Sequence, residues 1–297
     1  MKTRTSAATG GFTLVELMIA ASIGGVVALF IGTFLSGSAL LFAKNVSTNM
    51  THNSTRSALD RLAQDITQAD GAISLITAAG APVASGQAAG IAFDVLRANP
   101  YVIAHPGGTG LSAAATIFTL KRTANAAAQP PLPGVNDVIL ADDASTVRLK
   151  VQTGTTGATT TPVGATGPVQ DVAVTLQSAA GTAIPWASTS IKGARVVRRV
   201  AYVVVPSGGK NELRYFPAAE NIANFSTVAG YTLVLRNLAS ASGDETPFSY
   251  QTFQGKDFLR FVMRVRSDRY DQRLLRYEKN QFSSIQRIDF LLSPRGG

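Results

Sequence analysis

The chain has no cysteine among its 297 residues and only two histidines, His52 and His105. Thiolate nucleophiles, cysteine-ligated zinc sites and disulfide bonds are therefore excluded. The sequence also lacks an HExxH motif, a GxSxG motif and a glycine-rich phosphate loop of the Walker type. We assign no catalytic residue, no metal site and no cofactor, and we expect a protein that is not an enzyme.

Charged side chains are sparse, at 15% of the residues, and they are unevenly distributed. Residues 1–191 contain 10 basic and 9 acidic side chains, whereas residues 192–297 contain 17 basic and 9 acidic ones. The excess positive charge therefore belongs to the last third of the chain. Such a region is typical of a solvated protein face, and it can also attract nucleic acid, anionic lipid headgroups or acidic proteins.

Charge is missing altogether from residues 17–43, which form a run of 27 mostly apolar positions. At about 1.5 Å per residue this run makes a helix of roughly 40 Å, long enough to cross a bilayer. Lys2 and Arg4 precede it, which predicts a cytoplasmic N-terminus. A secretory signal would have a shorter apolar core followed by a small-residue cleavage site, and neither feature is present.

Glu16 stands at the start of this apolar run and is not explained by a plain membrane anchor. An unpaired carboxylate inside a bilayer is costly, so intramembrane acids usually have a partner and a function. Two interpretations remain open on these grounds alone. Glu16 reaches up to the membrane surface, or it pairs with a positive group inside an apolar assembly.

The residues around Glu16 read "GGFTLVELMIA", from Gly10 to Ala20. This stretch resembles the prepilin signal of type IV pilins and of type II secretion pseudopilins. The resemblance implies that a membrane peptidase cuts between Gly11 and Phe12 and methylates the new amine of Phe12, so that residues 1–11 are a leader peptide. It also implies partners, namely the prepilin peptidase, other major and minor pilins, an inner-membrane assembly platform and membrane lipid.

Cleavage would place a positive amine on Phe12, and this suggests a role for Glu16. We expect the Glu16 carboxylate to pair with the Phe12 amine of a neighbouring subunit inside a water-free bundle of helices. A paired charge is tolerated in apolar surroundings where a lone charge is not. The pairing would set the axial register of one subunit against the next.

Helical periodicity resumes after the apolar run. Leu59, Leu62, Ile66, Ala69 and Ile73 recur at steps of three and four residues, which places them on one helix face. We predict a long N-terminal helix over residues 12–71, with a transmembrane half at 12–43. Two separate helices with a loop at 45–53 are the alternative.

From residue 72 onward the pattern predicts a β-rich head that extends to residue 297. Short runs of β-branched and aromatic residues alternate with turn residues, and "PSGGKN", residues 206–211, indicates a hairpin turn. Residues 123–135 and 152–168 have few large apolar groups, so we expect flexible loops there. The fold class predicted is α+β, a long helix packed on a mostly antiparallel β head.

The helix end "LDRLAQDITQADG", residues 59–71, and the "VVRRVAYVVV" and "NELRYF" segments resemble PilW-like minor pilins and J-type pseudopilins. The resemblance implies an inner-membrane protein that is later assembled into a periplasm-spanning or cell-surface filament. A minor pilin that primes or caps a type IV pilus is the expected function, and a J-type pseudopilin or a surface adhesin is an alternative. A DNA-binding uptake pilin is another, because Arg260, Arg264 and Arg266 alternate along one predicted strand.

Overall fold

The computed structural model describes residues 13–84, 86–103, 116–124, 131–141, 148–160, 167–177, 192–208, 210–220, 222–238, 247–253, 256–265 and 284–291. The chain divides into two units, residues 1–50 with 267–279 and residues 51–266 with 280–297. The predicted cleavage point between Gly11 and Phe12 lies outside the described residues.

The first element is a single α-helix, α1, which runs from Leu14 to Thr67. The alternative with a loop at residues 45–53 is therefore wrong. The polar segment contains no proline that would interrupt the helix, and its hydroxyl groups bond to carbonyl oxygens of the preceding helical turn without ending it. Thr55 Oγ1, for example, donates a hydrogen bond of 2.7 Å to the Thr51 carbonyl oxygen. The helix ends at Thr67, and Gly71 then turns the chain with a φ of 97°.

In the described residues, strands follow the helix and pair antiparallel, which confirms the predicted α+β class. The strands are β1 (Ser74–Ile76), β2 (Pro82–Val83), β3 (Gln87–Ala88), β4 (Gly90–Ile103), β5 (Ile117–Thr123), β6 (Asp137–Ala141), β7 (Leu149–Thr160), β8 (Val169–Leu176), β9 (Lys192–Ser207), β10 (Lys210–Phe216), β11 (Thr232–Leu238), β12 (Phe248–Phe253), β13 (Lys256–Val265) and β14 (Ser284–Leu291). The hairpin predicted at "PSGGKN" joins β9 to β10, with Ser207 opposite Lys210.

Six of these strands form a ring in which each strand pairs with two others. The order is β4, β5, β8, β7, β6 and β9, and β9 pairs again with β4. Leu120 lies opposite Val172, and Ile139 lies opposite both Leu149 and Val196. All of these side chains are buried, so one face of the ring is an apolar interior. The ring closes because β4 and β9 pair directly, although a long insertion separates them in the chain.

Strand β7 corrects one of the two loop predictions. Residues 152–160, which were expected to be flexible, continue β7 and pair with β8 from Val151 opposite Leu176 to Thr160 opposite Val169. Threonine is β-branched and favours strands, and pairing with a neighbour supplies the stabilisation that the strand's own apolar content does not. Residues 161–166 and 125–130 lie outside the described residues, and residues 131–134 form no regular element.

The C-terminal part of α1 packs on one face of the sheet. Ala58, Leu59 and Leu62 are buried, with Ile66 partly buried beside them, in a cluster that also contains Phe93. Leu59, Leu62 and Ile66 lie on α1 against this cluster, as their helical spacing predicts. The helix ends four residues before the predicted residue 71, so Ala69 and Ile73 contact the same cluster from the connection between α1 and β1. Full burial of a side chain such as Leu62 contributes about 1.5–3 kcal/mol. The opposite face of the sheet is covered by a second cluster around Phe216 and Phe225.

Candidate functional site

The N-terminal end of α1 is organised by Thr13 and Glu16. The Thr13 backbone N–H and its hydroxyl each donate a hydrogen bond of 3.0 Å to Oε2 of Glu16. The Glu16 backbone N–H donates in return to Thr13 Oγ1, at 3.3 Å. This reciprocal arrangement is a capping box, in which two otherwise unpaired backbone donors of the first helical turn are satisfied. The carboxylate also lies at the positive end of the helix dipole.

The same geometry leaves the Glu16 carboxylate able to accept more hydrogen bonds. A carboxylate offers about four acceptor positions, and both Thr13 donors use Oε2. Within the described residues, Oε1 accepts no hydrogen bond. Glu16 is exposed, so an ammonium group from outside the chain can approach Oε1 while the capping box stays intact.

The apolar run of α1 is exposed along its length. Leu14, Leu29, Phe30 and Phe42 each have more than two thirds of their surface accessible. The most apolar 18-residue window has a mean hydropathy of 2.4, and none of it is buried. The helix is thus long and apolar enough to cross a membrane, and it is the one such helix in the part of the chain that the structure describes.

Four glycines lie within this exposed run: Gly24, Gly25, Gly32 and Gly37. A Cβ atom added at any of them would meet nothing within 4 Å. Packing within the monomer therefore does not require glycine at these positions. Small residues allow close approach of a second helix, so the run is suited to helix–helix contact in lipid or in an assembly.

Arg61, Asp65, Tyr202 and Tyr215 form a polar cluster between α1 and the sheet, which we call the tyrosine junction. The Tyr202 hydroxyl donates a hydrogen bond of 2.5 Å to Oδ2 of Asp65. The Arg61 guanidinium lies 4.4 Å from the centre of the Tyr215 ring, in a cation–π contact. Burial raises the pKa of Tyr202 well above its usual range, and the Asp65 hydrogen bond raises it further. Burial also raises the pKa of Tyr215.

A second polar cluster centres on Arg148, just before β7. Its guanidinium donates hydrogen bonds of 2.7 and 2.9 Å to Asp94, on β4. It also donates hydrogen bonds of 3.0 and 2.7 Å to Glu220, after β10. Burial opposes the charged form of Arg148, but these hydrogen bonds outweigh it and hold its pKa above the ordinary value. Arg148 thereby joins the inserted strands to the rest of the head, a role that no local sequence pattern indicates.

The basic C-terminal region has less unpaired positive charge than its composition indicates, because several of its arginines form ion pairs. On β13 the odd-numbered residues from Leu259 to Val265 are buried, so Arg260 lies on the opposite face of the strand. Arg264 is paired in register with Ile285 of β14. Arg260 lies opposite Ser249 and Asp289, and Arg266 lies outside the described residues. Several other arginines of this region pair with acids within the head. These ion pairs are Arg195–Asp70, Arg198–Asp137, Arg199–Asp94 and Arg214–Glu212.

Comparison with known protein families gives one match, the prokaryotic N-terminal methylation motif, over residues 7–36. No curated protein and no solved structure matches the chain. The matched region contains the predicted cleavage point, the Thr13–Glu16 capping box and most of the apolar run. The chain therefore carries an N-terminal methylation motif at the start of a candidate transmembrane helix, and this supports a type IV pilin-like prepilin.

Proposed function

We propose that this protein is a structural subunit of a type IV pilus, a minor pilin that primes or caps the filament. The observation that carries the proposal is the position of the methylation motif, which lies on the capped end of a 54-residue helix whose apolar half is exposed. An isolated helix with this surface needs lipid or other helices around it. A pilin-like subunit has both, first in the membrane and then in a filament.

Processing is the first step of the proposed mechanism. The prepilin peptidase cuts between Gly11 and Phe12 and methylates the new amine. The subunit then stays in the inner membrane through residues 12–43, with its N-terminus on the cytoplasmic side. Phe12 directly precedes Thr13 in the sequence, and a positive charge next to the start of a helix is unfavourable because of the helix dipole. A nearby carboxylate offsets this cost.

Glu16 supplies that carboxylate to a neighbouring subunit. The two Thr13 donors bind Oε2 and so hold the Glu16 side chain at the end of the helix. Oε1 then accepts a hydrogen bond from the Phe12 ammonium group of the neighbouring subunit. An ion pair with additional hydrogen bonds is tolerated in apolar surroundings better than an isolated one. The contact sets the axial offset between subunits as the inner-membrane assembly platform adds them to the filament.

A J-type pseudopilin of type II secretion would use the same processing and the same helix. Its N-terminal motif would be indistinguishable from that of a minor pilin. The choice between the two functions therefore depends on whether the protein is found in a pilus or in a secretion complex. Recovery with sheared pili would support the minor pilin. Recovery only with a secretion complex would support the pseudopilin.

DNA uptake has one specific observation in its favour, the even-numbered positions of Arg260 and Arg264 along β13. The ion pairs of the β9 arginines count against a broad basic surface, because those charges are already neutralised within the head. Salt-dependent retardation of duplex DNA, lost on Arg264→Glu, would support the uptake function.

Coexpression with a prepilin peptidase tests the proposal directly. We expect a loss of mass equal to the eleven-residue leader plus one added methyl group, and we expect a Gly11→Val variant to block both changes. Glu16→Gln should be processed normally but should fail to enter sheared filaments.

Thr13→Val is the matched control for Glu16→Gln, because it removes the capping hydroxyl and keeps the carboxylate. We expect it to retain most of its incorporation. A mature chain that still begins at Met1, or equal incorporation of Glu16→Gln and wild type, would overturn the proposed mechanism.

A further inference from the structure

The segment between β4 and β9 differs from the rest of the chain in its charge. Residues 104–191 contain four basic and four acidic side chains, so their net charge is zero. The remaining residues contain 23 basic and 14 acidic side chains and therefore hold the whole net charge of +9. This insertion supplies β5, β6, β7 and β8 to the ring. The head thus combines a neutral insertion with a basic body.

One face of the insertion is uncharged across three neighbouring strands. Ile117, Thr175 and Thr153 lie directly opposite one another on β5, β8 and β7, and Thr119, Ala173 and Thr155 form the next row. Residues paired across strands share a face. These six residues are defined here as the threonine face. The opposite face carries the buried Leu120, Val172 and Val174, so the threonine face is the outer one.

The threonine face is accessible to a partner. Ile117 is 66% exposed, and Thr153, Thr155 and Ala173 are exposed as well. Lys121 and Asp171 border the face and form an ion pair of 2.7 Å, so they largely neutralise each other. Residues 98–120, 151–170 and 172–191 contain no Asp, Glu, Lys or Arg. The chain segments next to the face therefore bring no charged side chain to it.

We propose that the threonine face is a contact surface between two copies of this chain. Two copies of a chain with an excess of basic side chains repel each other, and the repulsion is smallest where neutral surfaces meet. A two-fold contact must also be complementary to itself. Hydroxyl groups meet this condition because each one both donates and accepts hydrogen bonds, whereas a patch of one charge sign does not. The small side chains of threonine and alanine also allow two sheets to approach closely.

This contact is weak on its own. Six side chains, five of them small, bury much less than the roughly 800 Å² per partner of a standard interface. It becomes significant when the membrane or the filament holds the helices of two copies together, because the effective concentration of the heads is then high. In this respect the inference rests on the proposed function, and it adds that at least two copies of the chain lie side by side.

Engineered cysteines test the contact in a chain that has none of its own. Single variants Ile117→Cys, Thr153→Cys and Thr155→Cys are prepared as the full chain in membranes and treated with a short bis-maleimide cross-linker. Ser226→Cys, at an exposed loop position outside the face, is the matched control. We expect covalent dimers from the threonine-face variants at a yield at least about tenfold above that of Ser226→Cys. Equal yields would overturn the proposal.

Charge substitutions at Ala173 distinguish binding of a second copy of the chain from binding of any other partner. In the Thr155→Cys background, Ala173→Lys and Ala173→Glu should each abolish the dimer through like-charge repulsion, and a mixture of the two should restore it. Loss in both variants without recovery in the mixture would mean that the face binds something else, and it would overturn the proposal.

Mass spectrometry of the same samples keeps the two proposals distinguishable. Loss of the leader without cross-linking would leave the proposed function standing and refute the contact. Cross-linking of a chain that a peptidase never processes would support the contact and count against the proposed function.

Discussion

Removal of a single hydroxyl, by Tyr202→Phe, tests how α1 is held to the head. The phenylalanine ring keeps the packing of Tyr202 against Phe93 and Tyr215. Only the 2.5 Å hydrogen bond to Asp65 is lost. A hydrogen bond to a charged group contributes about 1.5–3 kcal/mol. Because Asp65 is only partly buried and water can replace the hydroxyl, we expect a loss of about 2 kcal/mol in the free energy of unfolding.

Urea unfolding of the full chain in detergent, followed by near-ultraviolet circular dichroism, measures this loss. For a head of this size the slope is near 3 kcal/mol per molar urea, so the midpoint should fall by about 0.7 M. Tyr231→Phe removes a hydroxyl from a half-exposed ring and should change the stability by less than about 0.5 kcal/mol. If the losses of stability in Asp65→Ala and in Tyr202→Phe simply add in the double variant, the hydrogen bond between the two residues is not the cause of the loss in Tyr202→Phe.

The pH dependence gives a second, independent measurement. The pKa of Tyr202 is raised in the folded state, so its contribution is fully present below the ordinary tyrosine pKa of about 10. It is lost as the pH rises toward the folded pKa, because the unfolded chain then releases its proton first. Between pH 9 and pH 11 the wild type should therefore lose about 1 kcal/mol more than Tyr202→Phe. Equal losses in the two proteins would refute the reasoning.

Two further substitutions test the head. Arg148→Met removes the shared partner of Asp94 and Glu220 and leaves only Lys150 and Arg199, at 3.9 Å each, beside them. This cluster of three side chains is partly exposed, so we expect a loss of about 3 kcal/mol in the free energy of unfolding measured in urea, at the low end of the range for a broken buried ion pair. Gly90→Ala would place a Cβ atom 2.5 Å from the Tyr202 carbonyl oxygen, so β4 and β9 must separate locally. A lowered melting temperature, of a size that corresponds to about 1–3 kcal/mol, should result. Gly71→Asn would meet no atom within 4 Å, but the φ of 97° at that position is strained for a residue with a side chain, so it should also cost about 1 kcal/mol.

Local patterns in the sequence were sufficient to predict the helix and most of the strands. The step of three and four residues from Leu59 to Ile66 identified the face of α1 that packs on the sheet. Runs of β-branched and aromatic residues after residue 72 indicated the β-rich head, and "PSGGKN" located the hairpin between β9 and β10. These features depend on side-chain periodicity along one segment, which a sequence displays directly.

The pairing of distant segments could not be predicted in the same way. The ring depends on β4 meeting β9 across the whole insertion, and nothing in the periodicity of either strand identifies its partner. Arg148 is likewise 54 residues from Asp94 and 72 residues from Glu220. Strand β7 was interpreted as a loop because it lacks large apolar residues, but its stabilisation comes from its pairing with β8.

One functional feature was present in the sequence as a local signal. Thr13 followed three residues later by Glu16 is the pattern of a capping box. A threonine hydroxyl and a backbone N–H already bind the carboxylate within its own chain. An acid at this position in an apolar helix is therefore less costly than a free acid would be. The capping box and the proposed pairing between subunits are compatible because they use different oxygens of the carboxylate. A neighbouring amine then needs to supply only one further interaction, which explains how a single contact can both offset the charge and define the register.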